Sequence, residues 1–164
     1  MAFEDSIVYF ADKAMRTRVI GRDSNAAECW DLAEEALRFA GAKTSKDVMG
    51  KSFKSNSNYK WGESIKTFAQ LKPGDIIQFN KYHYHGAGSK DEREYQDRGS
   101  NSQPRHTAIV KEVIGGPNNA LEVYEQNVPP GGGVQTATLY FKSGGGITVS
   151  GQFQANWWFY RATN

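Results

Sequence analysis

The chain has 164 residues, 20 basic against 18 acidic for a net charge of +2, and a single cysteine. Its length fits one domain with a substantial core, its balanced charge gives no electrostatic case for a nucleic-acid partner, and a lone thiol excludes an internal disulfide. A hydrophobic fraction of 38% with 17 glycines excludes a disordered chain and points to a polar, turn-rich globular one.

Phe3, Ile7, Phe10 and Ala14 recur at helical spacing, which predicts a first amphipathic helix over 3–17 that ends before Gly21. The same segment carries Glu4, Asp5 and Asp12 where a secretory signal needs a basic start and an apolar centre. No window approaches about 18 consecutive apolar residues, so no membrane span is expected. Synthesis in the cytoplasm is therefore expected, and an extracellular substrate would have to be reached through a dedicated secretion system or by release on lysis.

The stretch "SNAAECWDLAEEALRFAGA", 24–42, predicts a second helix, with Asn25 placed to cap it, Glu28 to complete a capping box and Gly41 to stop it. Trp30, Ala33, Leu37 and Ala40 share one face; Asp31, Glu34, Glu35 and Arg38 populate the other. Residues 43–63 have no sustained period and read as a long loop or short turns. Within them "SKDVMGKS" puts Ser45 where a phosphate-binding loop needs its first glycine, and neither flank fits, so nucleotide binding is set aside.

From residue 71 the pattern changes to strands: "LKPGDIIQF", "HTAIVKEVI" at 106–114, "LEVYEQNV" at 121–128, then "TATLYF", "GITVSG" and "NWWFYRA", separated by Gly and Pro turns. Helices followed by neighbouring strands predict an α+β fold with an antiparallel sheet. Residues 80–105, "NKYHYHGAGSKDEREYQDRGSNSQPR", have no apolar pattern and read as a surface insertion able to face substrate. The strand aromatics Tyr140, Phe141, Trp157 and Trp158 read more simply as core than as a stacking platform for single-stranded nucleic acid.

Cys29 falls in the first turn of the second helix, where unpaired backbone N–H groups and the helix dipole favour negative charge on sulfur. Cysteine nucleophiles are prepared in such places, although a small buried hydrophobe is the plainer reading of a free cysteine. A nucleophile needs a base. Of three histidines, His106 opens the strand "HTAIV", where rigid backbone can aim it, whereas His83 and His85 in "KYHYHG" lack an evident third ligand for a metal. In "LEVYEQNV", alternation places Leu121, Val123, Glu125 and Asn127 on one face and Glu122, Tyr124, Gln126 and Val128 on the other. Polar groups sharing a face with apolar ones need partners, and His106 on a neighbouring strand is a candidate partner for Glu125 or Asn127.

In this order "ECWDLAEEAL", "LKPGDIIQF", "HTAIV" and "VYEQN" resemble the papain-like fold, and most closely the CHAP group with its kin the NlpC/P60 peptidases, over residues 25–128. The resemblance implies one papain-like α+β domain over 1–164, of CHAP/NlpC-P60 type, with N-terminal helices packed on an antiparallel sheet or half-barrel. It implies Cys29 as nucleophile, His106 as general base, Glu125 as the orienting acid with Asn127 assisting or replacing it, and Pro73, Gly74 and Asp75 as a scaffold turn. Trp30 becomes a wall of the cleft or part of the core, and Trp61, Tyr82 and Tyr84 are candidate substrate contacts. Upstream of Cys29, residues 23–28 contain no glutamine to bind an oxyanion; Asn25 is the amide available there, in competition with its capping role. The implied activity is a cysteine peptidase or amidase that cuts an amide bond of bacterial peptidoglycan through a thioester, with no metal or other cofactor. A phage lysin or a secreted antibacterial toxin accompanied by an immunity protein fits that activity, and a papain-like binding or scaffold module is the alternative.

Overall fold

The computed structural model describes residues 2–15, 28–55, 57–86, 93–94, 105–128 and 132–164. The N-terminal apolar period forms helix α1 (Phe3–Ala14), whose buried stripe of Ile7, Ala11 and Ala14 packs in one core with Leu32, Ala33, Ala36 and Leu37 of helix α2 (Cys29–Ala40). Small side chains on both stripes let the two helix axes approach closely. The end of the expected first helix, 16–17, and the expected cap Asn25 lie outside the described residues.

Helix α2 starts later than the sequence suggests. Glu28, not Asn25, is its N-cap residue, and the Glu28 backbone N–H donates to Asp31 Oδ2 at 2.8 Å. Gly41 stops it as expected, at φ 76°, a left-handed conformation that costs glycine nothing. Glu34 departs from the expected polar face. It is fully buried, and its Oε2 accepts from the backbone N–H of Ser45 at 3.0 Å and from the Ser45 hydroxyl at 2.6 Å. Ser45 opens a short helix, α3 (Ser45–Met49), inside the segment expected to be irregular. Five residues are too few to show a period; a Thr44–Asp47 capping box defines this helix instead.

Nine strands follow among the described residues: β1 (Glu63–Ile65), β2 (Ile76–Asn80), β3 (His83–Gly86), β4 (Arg93–Glu94), β5 (Arg105–Gly115), β6 (Ala120–Glu125), β7 (Gln135–Leu139), β8 (Ile147–Ser150) and β9 (Trp157–Arg161). Six form one antiparallel sheet in the order β1-β9-β2-β5-β6-β7, and a smaller sheet has the order β4-β3-β8. Ile76, Ile109, Tyr124 and Tyr160 face the helices; Ile77, Phe79, Ala108, Val110, Leu121, Val123 and Phe159 form a second core on the opposite face. Burial on both faces explains why Ile76–Ile77 and Ala108–Val110 are continuous apolar runs and not alternating ones.

Strand β3 supplies Tyr84 to that second core, and Tyr82, just before it, joins the same core. Both are buried, with hydroxyls donating to the carbonyls of Tyr140 at 2.6 Å and Thr138 at 3.0 Å. The start of the 80–105 insertion is therefore a strand with a core face, and Tyr82 and Tyr84 are packing residues with no surface to offer a substrate. Phe141 and Trp157 are buried in the same core. Among the described residues no helix is long and apolar enough to cross a membrane.

The "KPGD" turn locks α1 to the sheet. Arg161 donates to both oxygens of fully buried Asp75, from Nε at 2.9 Å and from Nη2 at 2.8 Å, and Lys72 reaches Glu4 at 3.2 Å. Gly74 has φ 93°, and a Cβ there would stand 2.7 Å from the Glu4 Cα. Gly74→Ala is therefore expected to destabilise the domain by about 2 kcal/mol or more, read as a lowered midpoint in thermal or denaturant unfolding.

Candidate active site

The site is built where the ends of two strands meet the start of a helix. Ile109 on β5 pairs with Tyr124 on β6, which leaves His106 and Glu125 at one end of that strand pair. By alternation both share the face of Ala108, Val110, Leu121 and Val123. His106 Nε2 and Glu125 Oε1 are 3.0 Å apart, and the two side chains are 4% and 0% exposed. The second carboxylate oxygen is held as well: Gln135, opposite Glu125 on β7, donates from Nε2 to Oε2 at 3.1 Å. Phe79, opposite His106 on β2, stacks on the imidazole with ring centroids 5.9 Å apart.

Cys29 is the first residue of α2 and is half-buried. Its side chain stands within interaction range of the His106 imidazole. With Nε2 engaged by Glu125, Nδ1 is the ring nitrogen available to the thiol. Burial on its own would depress the imidazole pKa. The interaction with Cys29, followed by the bond to Glu125 and that carboxylate's charge, outweighs burial and raises the pKa from 6.5 to about 9. At neutral pH the ring is thus an imidazolium held between sulfur and carboxylate, a proton donor aimed at the cysteine side.

The helix start is fastened to the same strand end. Gln126 is fully buried, and its Nε2 donates to the Glu28 carbonyl at 2.6 Å, one residue before the thiol. Trp30 is half-buried beside Cys29; its Nε1–H donates to Ser45 Oγ at 2.9 Å, and its ring sits in a cluster with Phe53 and Tyr59. Trp61 is fully buried, with its N–H donating to Gln78 Oε1 at 3.0 Å. It belongs to the core and is removed from the candidate substrate contacts.

Of the expected residues, the structure brings Cys29, His106 and Glu125 together. Asn127 departs from the expected alternation: β6 ends at Glu125, and Asn127 lies in a turn at φ 65° with its N–H bonded to the Gly132 carbonyl at 2.8 Å. His83 and His85 stand on β3 with rings 5.3 Å apart, and among the described residues no group of three or more His, Cys, Asp or Glu is placed to hold a metal ion. Sequence reading missed Gln126 and Gln135. The first was legible in principle, because alternation puts Gln126 on the face of Tyr124, and that face meets the helices. Gln135 lies on a strand whose register no local pattern fixes.

Helices on one face of an antiparallel sheet, with a helix-start cysteine against a strand-borne histidine and its buried carboxylate, define a papain-like cysteine-proteinase fold. The chain belongs to the AIM3/BBC1 cysteine proteinase-fold domain family, whose model matches residues 2–142. No match was found among curated proteins or among solved structures.

A pKa raised in the folded state means that His106 contributes stability present in full below about pH 6.5 and lost as pH rises through about 9. His106→Gln is expected to flatten this part of the stability profile. Denaturant unfolding on either side of the window checks it: wild type should lose more stability than the variant as pH increases.

Proposed function

We propose that the domain is a cysteine hydrolase that cuts an amide bond, with Cys29 as nucleophile, His106 as proton carrier and Glu125 as the group orienting His106. The observation that carries this reading is the continuous line from the Cys29 thiol through the imidazole to a carboxylate with no solvent exposure. A buried histidine with a carboxylate on one nitrogen and a thiol at the other has the geometry of an activated nucleophile.

The chemistry runs in two halves. Cys29 Sγ adds to the carbonyl carbon, and the carbonyl oxygen takes the negative charge beside the Cys29 backbone N–H. The tetrahedral adduct collapses as the imidazolium of His106 protonates the departing amine, leaving a thioester. Neutral His106 then takes a proton from water as the water attacks the thioester carbon, and the acid product leaves with Cys29 restored. Glu125 and Gln135 hold the ring in one orientation throughout.

The resemblance to the CHAP and NlpC/P60 groups makes the peptide of bacterial peptidoglycan the substrate in this proposal. Cores that draw on residues from Ile7 to Tyr160 support one catalytic domain spanning the chain. A second reading, a papain-like binding module without turnover, is favoured by one observation: residues 23–28 hold no glutamine to donate to an oxyanion.

Incubation with peptidoglycan sacculi separates the two. Wild type is expected to release soluble fragments, identified by mass, and Cys29→Ala none; release by both proteins, or by neither, would overturn the hydrolase proposal. In parallel, a thiol probe below pH 8 should label Cys29 faster in wild type than in His106→Ala, and equal rates would mean that no ion pair activates the sulfur.

A further inference from the structure

We infer that Gln126 is a positioning residue that aims the Cys29 backbone N–H at the oxyanion, an inference that rests on the hydrolase reading above. Gln126 is fully buried, and its Nε2 donates to the Glu28 carbonyl at 2.6 Å. The Glu28 carbonyl and the Cys29 N–H belong to one peptide group. Such a group is planar and trans, so its C=O and N–H point in opposite directions. Fixing the oxygen toward Gln126 fixes the N–H on the other side, away from the strand end.

That N–H is well placed for the task. Cys29 is the first residue of α2, and the first N–H groups of a helix have no partner within it. The Glu28 carbonyl accepts a second bond from the Asp31 N–H at 3.1 Å, and the Glu28 N–H is itself held by Asp31. The Asp31 contacts fix the helix turn, and Gln126 adds the link to β6, one residue beyond Glu125. A single two-residue step, Glu125 to Gln126, thereby sets both the imidazole and the donor that receives the negative charge. This offsets the missing upstream glutamine by holding the remaining backbone donor in place.

Two reactions of the same thiol test the assignment in the full-length chain. Alkylation by iodoacetamide joins sulfur to a methylene carbon and expels iodide, with no oxyanion. Acylation by p-nitrophenyl acetate joins sulfur to the acetyl carbon through a tetrahedral oxyanion and expels p-nitrophenolate with the electron pair of the broken C–O bond. Gln126→Met, similar in volume but without the donor, is expected to slow acylation about 10-fold or more and leave alkylation at the wild-type rate. A purely structural residue would slow both equally, so equal slowing, or unchanged acylation, would overturn the inference. Gln126→Leu, which also lacks a donor, should give the same split and serves if the Met variant folds poorly. If wild-type Cys29 is alkylated but never acylated, the hydrolase reading falls, and this one with it; if wild type is acylated and both variants match it, only the role of Gln126 falls.

Discussion

A carboxylate with no solvent exposure at the end of β6 is the constraint around which the rest of the site is arranged. Removing a charge from water costs several kcal/mol in a protein interior unless partners replace the lost hydration. The partners of Glu125 include His106 on one oxygen and Gln135 on the other. The histidine in turn is buried, and burial disfavours its charged form. It remains protonated because sulfur stands on one side and the carboxylate on the other. The imidazolium and the carboxylate are each tolerable only in the presence of the other, so removing either strands its partner in the interior.

The sheet makes that burial possible by being covered on both faces. Helices α1 and α2 seal one side, and Tyr82, Tyr84 and Phe141 seal the other. The chain ends contribute directly. Arg161, on the last strand, grips Asp75 in the turn before β2, and the carboxylate of Glu4 in the first turn of α1 lies 3.8 Å from the same guanidinium and 3.2 Å from Lys72. Desolvation raises the Asp75 carboxyl pKa despite the Arg161 bonds. That contact is better read as fixing geometry than as a large source of stability.

Much of this was legible in the residues because it is written locally. The period of α1, the Gly41 stop, the "PGD" turn and the "HTAIV" and "LEVYE" strands all carry their own patterns, and alternation placed Glu125 with Leu121 and Val123 as the structure does. What was missed depends on the third dimension. Helix α3 is shorter than one hydrophobic repeat, and β3 has no local strand pattern because its pairing partner, strand β8, lies more than sixty residues later. Trp61 looks available in the sequence because an indole in a polar stretch gives no sign that Gln78, on strand β2, takes its N–H. The start of α2 was misplaced because Asn25 is the stronger capping residue type, whereas Asp31 selects Glu28 through a contact back to its backbone.

The buried Glu34 gives helix α2 a property that neither its caps nor its apolar stripe supply. Apolar packing tolerates a helix sliding or turning by a fraction of a residue, but a carboxylate bonded to both the N–H and the hydroxyl of Ser45 accepts one axial position. Trp30 adds a second tie to the same serine, one residue from the thiol. The sulfur is carried on a rod that is pinned along its length as well as at its tip. Any group that meets the Cys29 thiol must then fit a position set by the ties of Glu34 and Trp30 to Ser45.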